Sequence, residues 1–209
     1  VGNSIAKETI EKNLNDVFLW QFLFTIIATW CSSCLLCLFQ PFMAVWMGKD
    51  MLLPMRDVLL IVIWFMVDIV QQAYFLYLTG AGMWNELKYS YIFNTCCNLI
   101  MNICLGKNLG ITGILIASLV TCIISGTFWQ CTIIFKTYFK ISPKKYIGLQ
   151  MLYFCYSGII ITIVYFIMSM IPGHGIGGVI IKSMVCCVLS ALLILLVYSR
   201  NKYFLDAKR

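Results

Sequence analysis

Between Lys145 and Lys182 the chain carries no charged residue, and shorter charge-free apolar runs separate the other basic positions. Runs of this length fix the solvent before they fix the fold. A helix needs about 20 mostly apolar residues to cross the hydrocarbon core, and lipid cannot satisfy backbone polar groups, so such runs become spanning helices. Of the 209 residues 62% are hydrophobic and 11% charged, against roughly 45–50% apolar and 25% charged in soluble domains. Too few charges remain to cover a water-facing surface, which excludes a soluble enzyme, a nucleic-acid module and a disordered tail. The net charge of +7 does not bring nucleic acid back, because the Lys and Arg residues sit in short loops between the apolar runs.

The intervals between charges predict six spans. The first runs from Val17 to Phe39 and ends before Pro41. The second, Val58 to Leu78, is interrupted by Asp68 alone. Tyr89 to Leu105 and Ile111 to Phe135 follow. The breaker cluster Pro172-Gly173-His174-Gly175 divides the long run into Tyr146 to Met170 and Gly178 to Ser199. The expected fold is an all-α polytopic membrane protein. It is organised as a connector (1–16), four spans (17–135), a basic loop (136–145), and two further spans with a basic tail (146–209).

Orientation follows from the Lys and Arg bias of short loops. One side holds Lys7, Lys12, Lys88, Lys136, Lys140, Lys144, Lys145, Arg200, Lys202, Lys208 and Arg209; the other holds Lys49, Arg56, Lys107 and Lys182. That asymmetry predicts cytoplasmic ends and a cytoplasmic 136–145 loop. Trp20, Trp84, Tyr89, Trp129, Tyr138, Tyr146 and Tyr198 fall near the same interface, as belt residues do. The basic excess thus reads as topology and attraction to anionic lipid. The chain begins at Val1 with no basic-plus-apolar signal ahead of the first span. Residues 6–16 read as a cytoplasmic connector from a preceding span, so a C-terminal fragment is expected.

All eleven cysteines fall inside the expected spans. Cys31-x-x-Cys34-x-x-Cys37 resembles part of a metal pattern but has no fourth ligand nearby, so thiols packing as small soft hydrophobes are expected, with no metal and no cofactor. His174, the one histidine, lies in an expected external turn and has no visible partner for nucleophilic catalysis.

Asp68 is the sharpest polar signal. A carboxylate at mid-span costs roughly 2.5–3.5 kcal/mol on insertion scales and normally faces a bundle interior or a wet cavity. Its helical neighbours are Trp64, Gln71 and Gln72, so Asp68, Gln71 and Gln72 are expected to form one polar patch. Two readings stay open: a substrate or cation site, and an interhelical bond that only fixes packing. Asn94, Asn98 and Asn102 recur at steps of four and place three amides on one face. They suit either packing between helices or a wall for sugar hydroxyls. Ser118, Thr121 and Ser125, followed by Gly126 and Gln130, suit close helix approach. Trp30 either stacks on a sugar or fills the core.

These residues resemble a family. Val1-Gly2-Asn3-Ser4-Ile5-Ala6 with its charged connector looks like the cytoplasmic end of a span in the polysaccharide (O-antigen, Wzx-type) flippases of the multidrug/oligosaccharidyl-lipid/polysaccharide exporter superfamily. Pro41-Phe42-Met43-Ala44-Val45-Trp46-Met47-Gly48 resembles that family's span exit. Asn98-Leu99-Ile100-Met101-Asn102, then Leu109-Gly110-Ile111-Thr112-Gly113 and Ala117, resembles its Asn-rich span and the turn after it. The likeness covers roughly residues 1–140; the last two spans fit in topology.

The resemblance implies two helical lobes around a central cavity, with the six spans here forming most of the C-terminal lobe and the N-terminal lobe missing. It implies transport of undecaprenyl-diphosphate-linked oligosaccharide from the cytoplasmic to the outer leaflet of a bacterial inner membrane, by alternating access. A coupling cation, H⁺ or Na⁺, is an expected partner; nucleic acid and enzymatic chemistry are not expected. The family's cavity is cationic, whereas these spans supply Asp68, Gln71, Gln72, Asn94, Asn98 and Asn102, so the diphosphate contacts fall to the missing lobe. Competing readings are a drug or cation exporter of the same fold, a membrane polymerase or acyltransferase, and a non-transporting scaffold.

Overall fold

The computed structural model describes residues 1–171, 175–199 and 201. Among them the chain is helical, with no strand. A short helix α1 (Gly2–Lys7) leads into α2 (Ile10–Trp46), and a 3₁₀ turn (Lys49–Met51) precedes α3 (Met55–Gly80). Then come α4 (Trp84–Leu109), α5 (Ile111–Cys122), a π-helical segment (Ile123–Gln130), α6 (Cys131–Thr137), α7 (Lys144–Ser169) and α8 (Gly175–Tyr198). The expected turn around His174 and the expected tail residues Arg200, Lys202, Lys208 and Arg209 lie outside the described residues.

Among the described residues five helices, not six, are long and apolar enough to cross a membrane: α2, α3, the continuous Ile111–Thr137 helix, α7 and α8. The expected third span is a helix, α4, but its 26 residues include Asn85, Glu86, Lys88, Asn94, Asn98, Asn102, Lys107 and Asn108. Intervals between charges overlook amides, and amides are what lower the apolarity of α4. A second correction concerns Pro41, where the first span was expected to stop; α2 runs through it to Trp46. Breaking the helix there would strand several carbonyls in lipid, whereas an internal proline frees only one.

The chain divides into two compact units. The first comprises Val1–Phe24 and Val67–Met151. Its core is aromatic: Tyr146 packs on Phe135, Phe18 and Tyr74 at ring-centroid distances of 4.9, 5.6 and 6.1 Å. Tyr146 is only 3% exposed, so it is a core residue and not the interfacial belt residue expected from its place beside Lys145. Trp84 and Tyr89 do lie on the surface. Buried Gln21 donates through Nε2 to the Tyr146 carbonyl at 3.0 Å and to Gln150 Oε1 at 2.8 Å. Asn13 donates to the Tyr138 hydroxyl at 3.0 Å.

The second unit comprises Thr25–Met66 and the described residues from Leu152 on. Small buried hydroxyls line its part of α2: Thr29 Oγ1 and Ser33 Oγ donate back to the carbonyls of Thr25 and Thr29, and Thr29 Oγ1 meets Ser157 Oγ at 2.6 Å. Small residues of this kind let helices approach closely in lipid. Tyr198 packs edge-on to Tyr153 at 6.0 Å and is buried, a further expected belt residue that is core. The outer face of α8, with Met184, Val188 and Leu192 exposed, is apolar, as lipid contact requires.

Candidate functional site

The polar side chains singled out in the sequence lie in the first unit, on α3, α4 and the Ile111–Thr137 helix. Each is positioned by helical spacing. On α3, Asp68, Gln71 and Gln72 fall within one turn. On α4, the step of four repeats the asparagine on one face. On the third helix, Thr121 and Ser125 are one turn apart. In that helix Ile123–Gln130 is π-helical, and its closing bond runs from the Cys131 N–H to the Gly126 carbonyl, five residues back. Such segments widen a helix locally and are frequent at functional sites.

Gln71 turns across to this helix. Its Nε2 donates to the Cys122 carbonyl and to Thr127 Oγ1, both at 3.1 Å, while the Cys122 thiol approaches Gln71 Oε1 at 3.8 Å. Gly126 makes room for it, since a Cβ there would stand 2.0 Å from Gln71 Oε1. Gln72 folds back on its own helix, donating to the Asp68 backbone carbonyl at 3.4 Å. The single patch expected from Asp68, Gln71 and Gln72 is therefore split: one amide serves packing, one serves its own backbone. Asp68 is half-buried and faces no cation within ion-pair distance among the described residues. Its carboxylate accepts no hydrogen bond from the described residues; the Gln72 bond at Asp68 is to its backbone carbonyl.

The asparagines separate in the same way. Asn98 Nδ2 donates to Thr121 Oγ1 at 3.0 Å, and Asn102 Nδ2 donates to Asn98 Oδ1 at 2.8 Å. Thr121 Oγ1 donates in turn to the Ala117 carbonyl at 2.8 Å. Asn94 stands outside this chain, and its Oδ1 is buried without a partner among the described residues. The α3 and α4 residues thus converge on neighbouring positions of one helix, Asn98 on Thr121 and Gln71 on Cys122. Ser90 completes the seam, 3.1 Å from Ser125 Oγ and accepting from Gln130 Nε2 at 3.3 Å. Sequence reading missed Ser90, although it extends the 94, 98, 102 row by one more step of four.

α4 and α5 are also held together at their shared turn. Gly110 carries a positive φ of 61°, which favours glycine. A Cβ on Gly113 would stand 2.2 Å from the Leu105 carbonyl oxygen, so only glycine allows this approach. In the second unit Trp30 is partly exposed and donates through Nε1 to the Cys187 carbonyl at 3.0 Å. All eleven cysteines are free thiols, with Cys34 and Cys187 sulfurs 3.7 Å apart. Among the described residues no group of three or more His, Cys, Asp or Glu is arranged to hold a metal.

Chemically, then, the arrangement offers a seam of satisfied hydrogen bonds, two amide oxygens unpartnered among the described residues (Asn94 and Asn102), and the Asp68 carboxylate midway along apolar α3. No protein-family model, curated protein or solved structure matches the chain.

Proposed function

We propose that this chain belongs to a membrane transporter that flips lipid-linked oligosaccharide, of the polysaccharide flippase type whose motifs it resembles. The observation that carries the reading is Asp68. Its neighbours Gln71 and Gln72 are committed to bonds, yet the carboxylate sits within a membrane-spanning helix without an ion-pair partner among the described residues. A fixed packing residue would have its bond in place; a carboxylate that meets a mobile cation or a substrate donor would not. In this reading the amide oxygens of Asn94 and Asn102, buried without donors in this state, meet glycan hydroxyls when the helices part, and a cation, H⁺ or Na⁺, visits Asp68. The substrate leaves chemically unchanged, and the setting is a bacterial cytoplasmic membrane with the basic 136–145 loop on the cytoplasmic side.

Asp68 equally favours a second reading, export of an organic cation. Reconstitution in proteoliposomes separates the two. The protein, purified together with the N-terminal lobe that the resemblance implies, is tested for transfer of a fluorescent undecaprenyl-diphosphate glycan between leaflets and, in parallel, for uptake of a cationic dye. Glycolipid transfer without dye uptake supports the flippase; dye uptake alone supports the exporter. Transfer of neither substrate, by protein that remains folded, removes both.

A further inference from the structure

In the second unit a half-open cavity of 150 Å³ lies where α2 and α7 end and α3 begins. It is not lined by hydrocarbon alone: Lys182, Ser169, Gln40 and Cys37 contribute to its wall beside Pro41 and Met55. Lys182 is the one charged residue of α8 and has no carboxylate within ion-pair distance among the described residues. Arg56 and Asp57, at the start of α3, pair with each other at 3.7 Å. Gln40 spends its Nε2 on the Leu53 carbonyl, and its Oε1 is buried with no donor among the described residues. Pro41 has no N–H, and its ring displaces the carbonyl one turn back, so the Cys37 carbonyl loses its helical donor beside the same cavity. Ser169 Oγ already donates to the Phe166 carbonyl.

The cavity therefore offers one unpaired ammonium and two acceptors without donors. A simple anion would satisfy the first and leave the others empty. A phosphate ester with its own ammonium or hydroxyl group satisfies all three. Depth selects the source. Lys182 is in the second turn of α8, roughly 10 Å from its start by helical rise, and Met55 and Ser169 are helix-terminal. That is the level of the headgroup layer, which lysine side chains reach by extending toward the interface.

We propose that this cavity is a binding site for a phospholipid headgroup: phosphate on the Lys182 ammonium, and headgroup ammonium or hydroxyl on Gln40 Oε1 and the Cys37 carbonyl. The site is independent of glycolipid flipping and of Asp68.

The test is native mass spectrometry of the detergent-purified protein titrated with defined lipids. Phosphatidylethanolamine and phosphatidylglycerol, which carry donors, bind more tightly than phosphatidylcholine, whose phosphate has none beside it, and diacylglycerol does not bind. Lys182→Gln lowers affinity for the first two about tenfold, the loss of one charge-assisted bond, and Lys182→Arg retains it. An unchanged Lys182→Gln variant overturns the assignment. So does the absence of headgroup preference in the unsubstituted protein, a measurement that stands if the variant does not fold. Displacement of bound lipid by inorganic phosphate would make this a site for the free ion and overturn the lipid assignment; insensitivity to phosphate supports it.

Discussion

Gln71 fills the notch left by Gly126, its Oε1 2.0 Å from where a Cβ on that glycine would stand. The other end of the amide holds the Cys122 carbonyl and Thr127 Oγ1 at 3.1 Å. One side chain thus joins α3 to both ends of the turn that enters the π segment. A hydrogen bond to a helical carbonyl needs the two backbones close, and the missing side chain at 126 supplies that closeness.

Gly126→Ala forces the Gln71 amide away and breaks both bonds. The expected cost is about 1–3 kcal/mol, the range for leaving buried polar groups unpaired, seen as a lower unfolding temperature in detergent. With Gln71→Ala already in place the clash is gone, and the added methyl favours the helix by roughly 0.5–1 kcal/mol. Equal losses in both backgrounds would show that the Gln71 contact is not the cause.

Gly113 behaves differently because its close neighbour is backbone. A Cβ would stand 2.2 Å from the Leu105 oxygen, and no rotamer relieves that. Gly113→Ala is expected to cost at least as much as the roughly 1–3 kcal/mol of core overpacking, with no second truncation that rescues it. Since α4 is too polar to count as a span by itself, its docking on α5 is what this variant loosens. Limited proteolysis around Lys88 and Lys107 should accelerate; an unaltered cleavage pattern would count against the close approach.

The bond from Asn98 to Thr121, at 3.0 Å, links α4 to α5. A double-mutant cycle with Asn98→Ala and Thr121→Val should give a coupling near the 0.6 kcal/mol average for bonds between membrane helices, up to about 1.7. Coupling indistinguishable from zero would mean that the two residues contribute independently.

Glu8, between α1 and α2, lies outside the spanning segments. Hydrogen bonds from Lys12 and from Ser4 hold its carboxyl below the usual range. A group whose pKa is depressed by folding adds stability above its unfolded pKa, and that stability is lost as pH falls through the folded value. The pair is partly exposed to solvent, which screens it, so the effect is small and local. Side-chain NMR should place the Glu8 midpoint below that of an unpaired glutamate, and Lys12→Gln should move it up. A midpoint indifferent to Lys12 would contradict the pairing.

Much of the helical layout is readable from the sequence because charge-free length is a one-dimensional property. The positions of α7 and α8 follow from it to within a few residues. What escapes are effects that need a second element. Pro41 looks like a stop, yet in lipid a continued helix leaves fewer groups unpaired than a broken one. Tyr146 sits beside Lys145 as a belt residue would, but the rings of Phe18, Phe135 and Tyr74 draw it inward. The asparagine face is legible from its period of four; that Thr121 receives Asn98 while Asn94 Oδ1 stays unpaired is not. Likewise, side-chain spacing groups Gln71 with Asp68, and only the notch at Gly126 shows that it reaches another helix. The π segment leaves no mark in composition.

Asp68 carries the functional proposal, and two properties of one variant judge it. A carboxylate kept for packing makes the protein more stable when present; one kept for transport imposes its desolvation cost for the sake of activity. Asp68→Asn keeps the shape and removes the charge. If Asp68 meets a cation or a substrate donor, the variant folds at least as well as the unsubstituted protein and transports about ten- to a hundredfold more slowly, the equivalent of one charge-assisted contact. Asp68→Glu, which restores the charge, recovers part of the rate. Unfolding temperature and leaflet-transfer rate are measured on the same proteoliposome preparation. Lower stability with an unchanged rate per folded molecule would assign Asp68 to packing and leave the flippase reading without its main support.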